Sequence, residues 1–115
     1  MKFSALVAIV PDDLEQDTIA SARQAGACGI TLLSARGIGT EEKKSFFGLT
    51  FEGSQSILLI VLERRLSLRV LKSVQTLLKE DDNSRGVVFT CPIEHIAGLD
   101  LTQVHRFEEQ IEDQL

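Results

Sequence analysis

Two arginine–glycine pairs stand where apolar stretches of the sequence meet polar ones, and these residues could bind an anion. Arg36 and Gly37 follow one apolar stretch, and Arg85 and Gly86 come directly before another. Glycine lets a ligand approach the backbone closely, and a guanidinium donates paired hydrogen bonds to phosphate or carboxylate groups. The alternative is a flexible loop hinge with solvent-exposed arginines. The predicted ligand-binding residues are Arg36, Gly37, Ile38, Gly39, Arg85 and Gly86.

Cysteine and histidine side chains are the second source of possible chemistry, because a zinc site is built mainly from these ligands. The chain has four of them, Cys28, Cys91, His95 and His105. Their spacing matches neither a C-x-x-C nor an H-x-x-x-H pattern. We therefore predict no metal site and expect both cysteines to be free thiols, which fits a reducing cytoplasm.

A nucleophile with a nearby base, or two carboxylates at a specific spacing, would indicate an enzyme. Asp12 and Asp13 are adjacent, but their position before an apolar helical pattern predicts that they cap a helix. Glu94 and His95 are the only neighbouring acid and imidazole, and adjacent side chains on a turn rarely converge on one site. We predict that the chain is not an enzyme.

Charge and composition argue against two classes of partner. The formal net charge is −5, and the chain has six phenylalanines but no tryptophan or tyrosine. Neither phosphate-backbone binding nor base stacking is therefore expected, and nucleic acid is not a predicted partner. The longest apolar run, residues 57–62, is far shorter than the roughly 20 residues that cross a bilayer. We expect one cytoplasmic domain, residues 1–115, without direct membrane insertion.

The order of apolar patterns predicts two strand–helix–strand units. Strands are predicted at residues 3–10, 28–36, 56–62 and 87–91, the third buried on both faces and the last ended by Pro92. A first helix is predicted to end at Gly26, and Ser67 is predicted to cap a second. The helix positions expected to face the core are Leu14, Thr18, Ala22, Ala25, Leu66, Val70, Val74, Leu77 and Leu78.

This order, β-α-β-β-α-β, predicts an α+β fold, a ferredoxin-like sandwich with an antiparallel sheet and both helices on one face. The other face of the sheet would be uncovered, which favours self-assembly in so small a domain. An additional C-terminal helix is predicted at residues 102–114. Its apolar face would consist of Val104, Phe107, Ile111 and Leu115.

A long loop is predicted at residues 37–53, between the second and third strands. It contains two lysines followed closely by two phenylalanines, and exposed aromatic side chains often dominate binding to a partner. The alternative is that the phenylalanines pack against the domain or a neighbouring subunit. The predicted partner-binding residues of this loop are Lys43, Lys44, Phe46 and Phe47.

Three segments, in order, resemble the PII nitrogen-regulatory signal-transduction family. They are Gly-Ile-Thr at residues 29–31, Arg-Gly-Ile-Gly at 36–39 and Gly-Val-Val-Phe-Thr-Cys-Pro-Ile-Glu-His-Ile at 86–96, and the similarity covers most of residues 1–99. The resemblance implies a homotrimer that binds adenine nucleotide in clefts between subunits. It also implies that the loop after the second strand engages a target protein, such as a transporter, an enzyme or another regulator.

The chain departs from the family pattern in three places. It has no tyrosine, so the uridylylation of a loop tyrosine that regulates some members cannot occur. The glycine-rich turn before the last strand keeps only Gly86, where Arg85 could replace the usual lysine. The later arginine-rich segment is replaced by residues 97–102, which contain no arginine. The chain therefore resembles a divergent PII-like member with an altered triphosphate site.

The leading hypothesis is a signalling protein that binds a small metabolite between subunits, with an adenine nucleotide as the candidate. Binding would regulate a partner protein through residues 37–53. Two alternatives stay open. One is a metal-binding trimer similar to the CutA-like metal-tolerance proteins, and the other is a structural assembly module without a ligand.

Overall fold

The computed structural model describes residues 1–37, 45–46, 49–50, 54–80 and 83–99. A short 3₁₀ turn (Asp12–Leu14) leads into helix α1 (Glu15–Gln24), and helix α2 (Arg64–Leu78) is the longer of the two described helices. Neither has the length and hydrophobicity needed to span a membrane. The strands are β1 (Phe3–Pro11), β2 (Thr31–Ala35), β3 (Ser45–Phe46), β4 (Leu49–Thr50), β5 (Gln55–Glu63), β6 (Lys79–Glu80), β7 (Asn83–Ser84) and β8 (Val87–Ile93).

Four strands form the main sheet in the order β2-β5-β1-β8, and all neighbouring strands are antiparallel. The central strands β1 and β5 pair over their whole lengths, from Phe3 opposite Glu63 to Pro11 opposite Gln55. Helix α1 connects β1 to β2, and α2 connects β5 to β8. The predicted ferredoxin-like β-α-β-β-α-β arrangement is therefore confirmed.

Alternate residues of the two central strands face the helices and form the core. Leu6 and Ala8 of β1 lie opposite Ile60 and Leu58 of β5, and all four side chains are buried. Leu77 of α2 is only half-buried. The other helix positions predicted for the core are buried: Leu14, Thr18, Ala22, Ala25, Leu66, Val70, Val74 and Leu78.

The opposite face of the sheet is apolar and is covered by neither helix. Val7 of β1 lies between Leu59 of β5 and Phe89 of β8, and the last two are 36% and 40% exposed. The prediction that residues 56–62 are buried on both faces is wrong for the single chain, because successive side chains of a strand point to opposite faces. We call this side the uncovered face: Ala5, Val7, Ile9, Leu33, Ile57, Leu59, Val61, Val87, Phe89 and Cys91.

The start of α1 differs from its prediction. Neither Asp12 nor Asp13 makes a side-chain hydrogen bond that caps the helical turn. Asp12 instead accepts a hydrogen bond from the Ser56 hydroxyl, and Asp13 pairs with Arg85. The prediction that the two aspartates cap the helix is therefore wrong, because side chains from neighbouring elements bind their carboxylates.

Helix α2 is capped by Glu63, not by Ser67. One carboxylate oxygen of Glu63 accepts hydrogen bonds from the backbone N–H groups of Arg65 (2.9 Å) and Leu66 (3.1 Å). Ser67 lies inside the helix, where its hydroxyl donates to the carbonyl oxygen of Arg64 at 2.7 Å. The prediction of Ser67 as the cap is wrong because β5 continues to Glu63 and the helix begins at the next residue.

The other boundaries follow the predictions with local differences. Gly26, after α1, has a φ of 120°, as expected of a glycine at a helix end. β2 is shorter than predicted, and β8 continues beyond Pro92 because an edge strand tolerates proline. β6 pairs with β7 directly after α2, and β3 pairs with β4 within the predicted loop. The predicted helix at residues 102–114 lies outside the described residues.

Gly86 lies where the chain entering β8 approaches β1 most closely. A Cβ atom at this position would lie 2.6 Å from the carbonyl oxygen of Ile9 and 3.2 Å from Cγ1 of Val10. The first contact involves backbone and cannot be relieved by rotating a side chain, so a larger residue would displace one of the strands. The packing of these strands alone therefore requires glycine at position 86.

We expect Gly86→Ala to lower the free energy of unfolding by about 1–3 kcal/mol, the usual cost of overpacking a core. Denaturant melts of wild-type and variant proteins would measure the difference. Gly29→Ala is the matched control, because nothing lies within 4 Å of a Cβ atom added there. Equal stability of the Gly86 and Gly29 variants would contradict this account.

We expect Glu63→Ala to lower the free energy of unfolding by about 1–2 kcal/mol, because the cap is lost and backbone N–H groups lose their partner. Glu63→Gln keeps an acceptor oxygen and should be less destabilising. Denaturant melts of both variants would test this order. If the glutamine variant lost as much stability as the alanine variant, the hydrogen-bond acceptor would not be the important feature.

Candidate functional site

Both predicted arginine–glycine pairs lie at one end of the main sheet. Ala35 of β2 is opposite Gln55 of β5, which is opposite Pro11 of β1. Val87, the first residue of β8, is opposite Ile9, two residues before Pro11. β1 and β2 therefore finish, and β5 and β8 begin, at the same end of the sheet. We call it the loop end.

Arg36 and Gly37 follow β2, whereas Arg85 and Gly86 precede β8. β2 and β8 are the two edge strands, so three strand spacings of nearly 5 Å separate them, or roughly 14 Å. Arg36 is exposed and Gly37 is half-buried. The two pairs therefore share the loop end, but their backbones are too far apart within one chain for both glycines to contact the same phosphate group.

Arg85 already has a partner in the same chain. Its guanidinium nitrogen Nη2 lies 2.8 Å from Oδ2 of Asp13, and the two side chains are 43% and 64% exposed. Its backbone N–H donates to the carbonyl oxygen of Leu78 at 3.1 Å, which fixes the turn before β8. An exposed ion pair contributes only about 0–1 kcal/mol. An anionic ligand could therefore replace the Asp13 carboxylate at little cost.

Asp12 joins β1 to the start of β5. Its Oδ1 atom accepts a hydrogen bond from the Ser56 hydroxyl at 2.7 Å, and its backbone N–H donates to the carbonyl oxygen of Ser54 at 3.3 Å. Ser54 directly follows the predicted loop at residues 37–53. These hydrogen bonds hold the carboxyl-terminal base of that loop against the end of β1.

Gln55 is a candidate site residue that was not predicted from the sequence. Its side chain is 2% exposed, and its Nε2 atom is buried with no hydrogen-bond partner among the described residues. A buried donor without a partner is costly, so such groups usually have a water molecule or a ligand as partner. A polar residue that opens an otherwise apolar strand was the available signal, and it was too weak to distinguish Gln55 from an ordinary strand end.

The other predicted site residues have different outcomes. The close approach of β8 to β1 accounts for Gly86 without a ligand, so its role in binding stays a prediction. Phe46 belongs to β3. Ile38, Gly39, Lys43, Lys44 and Phe47 lie outside the described residues.

A small open cavity of about 190 Å³ lies on the helix side of the loop end. Its walls come from the last turns of α2 and from the start of β8. Most of the lining is apolar and Lys79 is the only charged residue in it, so the cavity does not have the cluster of basic groups that is typical of a phosphate site. The lining residues are Leu71, Gln75, Leu78, Lys79, Gly86, Val87 and Val88.

The cysteine and histidine side chains considered as possible metal ligands do not converge in the part of the chain that the structure describes. No three histidine, cysteine, aspartate or glutamate side chains there lie close enough to hold a metal ion. Cys28 and Cys91 are both exposed and form no disulfide. His105 lies outside the described residues. The described residues therefore offer no support for the metal-binding alternative.

Comparisons with solved structures identify proteins of the same fold. CPII from Thiomonas intermedia bound to ADP, AMP and acetate has a TM-score of 0.64 and 18% identity, over 80% of this chain and 86% of that one. Arabidopsis thaliana PII bound to citrate has a TM-score of 0.61 and 21% identity, over 80% and 78%. The B. subtilis GlnK–ATP complex has a TM-score of 0.61 and 14% identity, over 81% and 84%.

Comparison of the sequence with protein-family models identifies the family of the chain. No curated protein sequence matches the chain. The family model for the nitrogen regulatory protein P-II, however, matches residues 3–100. This match includes the whole main sheet, both helices and the loop end. The chain therefore belongs to the nitrogen regulatory protein P-II family, as a divergent PII-like member.

Proposed function

We propose that this protein is a homotrimeric PII-like regulator that binds a small metabolite, with an adenine nucleotide as the candidate, between subunits. The observation that carries the proposal is the position of both arginine–glycine pairs at the loop end. Solved structures with the same fold hold ADP, AMP, ATP or citrate. All of these ligands carry negative charge, which suits arginine side chains.

Assembly of several chains would bring together arginine–glycine pairs that lie apart within one chain. Arg36 and Arg85 lie beside opposite edge strands of one sheet, so two chains side by side would bring both kinds of residue to one phosphate group. The uncovered face supplies the reason to assemble, because burying apolar surface is the main driving force of association. In a closed ring of copies, the β2 edge of one chain would lie beside the β8 edge of the next.

The buried Gln55 amide supports a ligand with an acceptor group near the loop end. Its unpaired Nε2 atom would donate a hydrogen bond to a carboxylate, a phosphate or a carbonyl oxygen. Gln55 directly precedes Ser56, whose hydroxyl binds Asp12 at the base of the loop. A ligand at this point would therefore contact the same few residues that anchor residues 37–53.

Regulation would occur through that loop. A ligand that binds one arrangement of residues 37–53 more tightly than others shifts the population toward it. The shift would change how Lys43, Lys44, Phe46 and Phe47 are presented to a target protein, such as a transporter, an enzyme or another regulator. The proposed place of action is the cytoplasm. No covalent step is required, so the proposal describes a regulator and not an enzyme.

We expect ATP, ADP or AMP to raise the unfolding temperature of the wild-type protein saturably, because a ligand of the folded state stabilises it. Arg85→Gln should weaken this binding at least about tenfold, since charge-assisted hydrogen bonds to phosphate are lost. A thermal-shift titration, with and without magnesium, would measure both effects.

Asp13→Asn is the matched control for Arg85→Gln. It breaks the same ion pair but leaves the guanidinium available, so nucleotide binding should be kept or strengthened. If both variants weakened nucleotide binding equally, loss of the ion pair would explain the effect, and direct binding of the nucleotide by the Arg85 guanidinium would be contradicted. If no nucleotide shifted the wild-type protein, the adenine nucleotide proposal would be wrong.

We expect Leu59→Lys to convert the assembly of three chains into single chains, because it places a charge in the middle of the uncovered face. Sedimentation velocity would report the mass, and circular dichroism would verify that the fold is kept. Thr76→Lys is the control, since Thr76 is exposed on α2, away from that face. A wild-type protein that sediments as a single chain would contradict the proposed trimer.

A further inference from the structure

One side of α2 forms a groove with the edge strand β8. Arg64, Leu68, Leu71, Gln75 and Lys79 follow one another at intervals of three or four residues, so they lie along one side of the helix. Leu71, Gln75 and Lys79 line the open cavity together with the beginning of β8. Leu68 continues the same side toward the start of the helix and is 51% exposed. We call this surface the α2–β8 groove.

The groove has an apolar floor and a basic border. Leu71 of α2 and Val88 of β8 are partly buried and pack against the core. Residues 64–79 contain five basic residues and no acidic residue. Arg65 already pairs with Glu63 at 3.3 Å. In a chain whose net charge is −5, the remaining positive charge is local and favours an acidic, amphipathic occupant. The basic residues are Arg64, Arg65, Arg69, Lys72 and Lys79.

The chain itself contains a segment of that chemistry. Residues 100–115 have five acidic residues and one arginine, and Val104, Phe107, Ile111 and Leu115 recur at helical spacing. On a helical projection, Glu108 and Glu112 border this apolar stripe on one side, whereas the opposite border carries glutamines. Such a segment would place its acidic border beside Lys72 and Lys79 and its apolar stripe on the groove.

The length and the starting point of the segment also fit. β8 ends at Ile93, which is opposite Phe3, and Phe3 is opposite Glu63, the residue before α2. The chain therefore leaves the sheet at the end of the groove where α2 begins, nine residues before residue 102, and residues 94–98 of this connection are exposed. A helix of residues 103–115 would be about 20 Å long, and the side of α2 from Arg64 to Lys79 is roughly 22 Å long.

From these observations we propose that the C-terminal segment, residues 102–115, docks as a helix in the α2–β8 groove of its own chain. The segment would cover Leu68 and the small cavity beside Leu71. This proposal does not depend on the proposed ligand or on the trimer. A free helix of this length is marginal in water, so docking is what would make it stable.

Amide hydrogen exchange of the full-length protein tests the docking. We expect residues 103–115 of the wild-type protein to exchange at least about tenfold more slowly than an unstructured peptide. Leu68→Asp should remove this protection, because it places a charge in the apolar floor while the half-exposed position leaves the core intact. Thr76→Gln, which lies outside the groove on exposed α2 surface and changes no charge, should leave the protection unchanged. Exchange in the wild-type protein at the rate of a free peptide would overturn the proposal.

Mixed assemblies distinguish the groove of the same chain from that of a neighbouring copy. Chains with Leu68→Asp would be co-expressed with chains carrying Phe107→Asp, so that no chain has both an intact groove and an intact segment. The proposal expects no recovery of protection in the C-terminal segment of the Leu68→Asp chains. Recovery would show that the segment docks on another copy and would overturn the assignment, as would loss of protection in the Thr76→Gln control.

Discussion

The pairing of β1 with β5 along their entire lengths is the constraint on which the rest of the molecule depends. Because side chains alternate along a strand, this one register decides which residues meet the helices and which form the uncovered face. Leu58 and Ile60 are buried under the helices, whereas Leu59, between them, is partly exposed. The same register aligns the strand ends at the loop end. Core, uncovered face and loop end thus follow from one set of strand pairs.

This constraint also explains why the proposed function needs more than one chain. A single sheet separates its two arginine–glycine pairs by the width of four strands and leaves an apolar face without a cover. Association of identical chains through that face would resolve both features. In the proposed function, ligand binding and assembly are therefore linked, and the described residues that flank the predicted loop, Arg36 and Ser54, lie at the loop end.

The fold could be predicted from the sequence because its main elements have strong periodic patterns. The stripe of Leu66, Val70, Val74 and Leu78 specified α2 and its buried side, and the order of apolar stretches specified the topology. Local hydrogen bonding could not be predicted in the same way. Asp12 and Asp13 have the residue types of helix caps, but their partners, Ser56 and Arg85, come from distant parts of the chain.

The candidate site was predicted only in part, for a related physical reason. Arginine beside glycine is visible in the sequence, so Arg36 and Arg85 could be proposed as ligand-binding residues. The burial of Gln55 depends on how strands pack, and only the structure shows that its Nε2 atom has no hydrogen-bond partner among the described residues. Gly86 illustrates the opposite case, because a residue expected to contact a ligand also has a packing reason to be glycine.

Calorimetric titration of ADP into the wild-type protein and into the Leu59→Lys variant tests the central claim most directly. The account predicts saturable binding to the assembled wild-type protein and no measurable binding to single chains, because each site needs residues from two copies. Equal affinity of the assembled and dissociated proteins would contradict it, since one chain would then be sufficient to form the site.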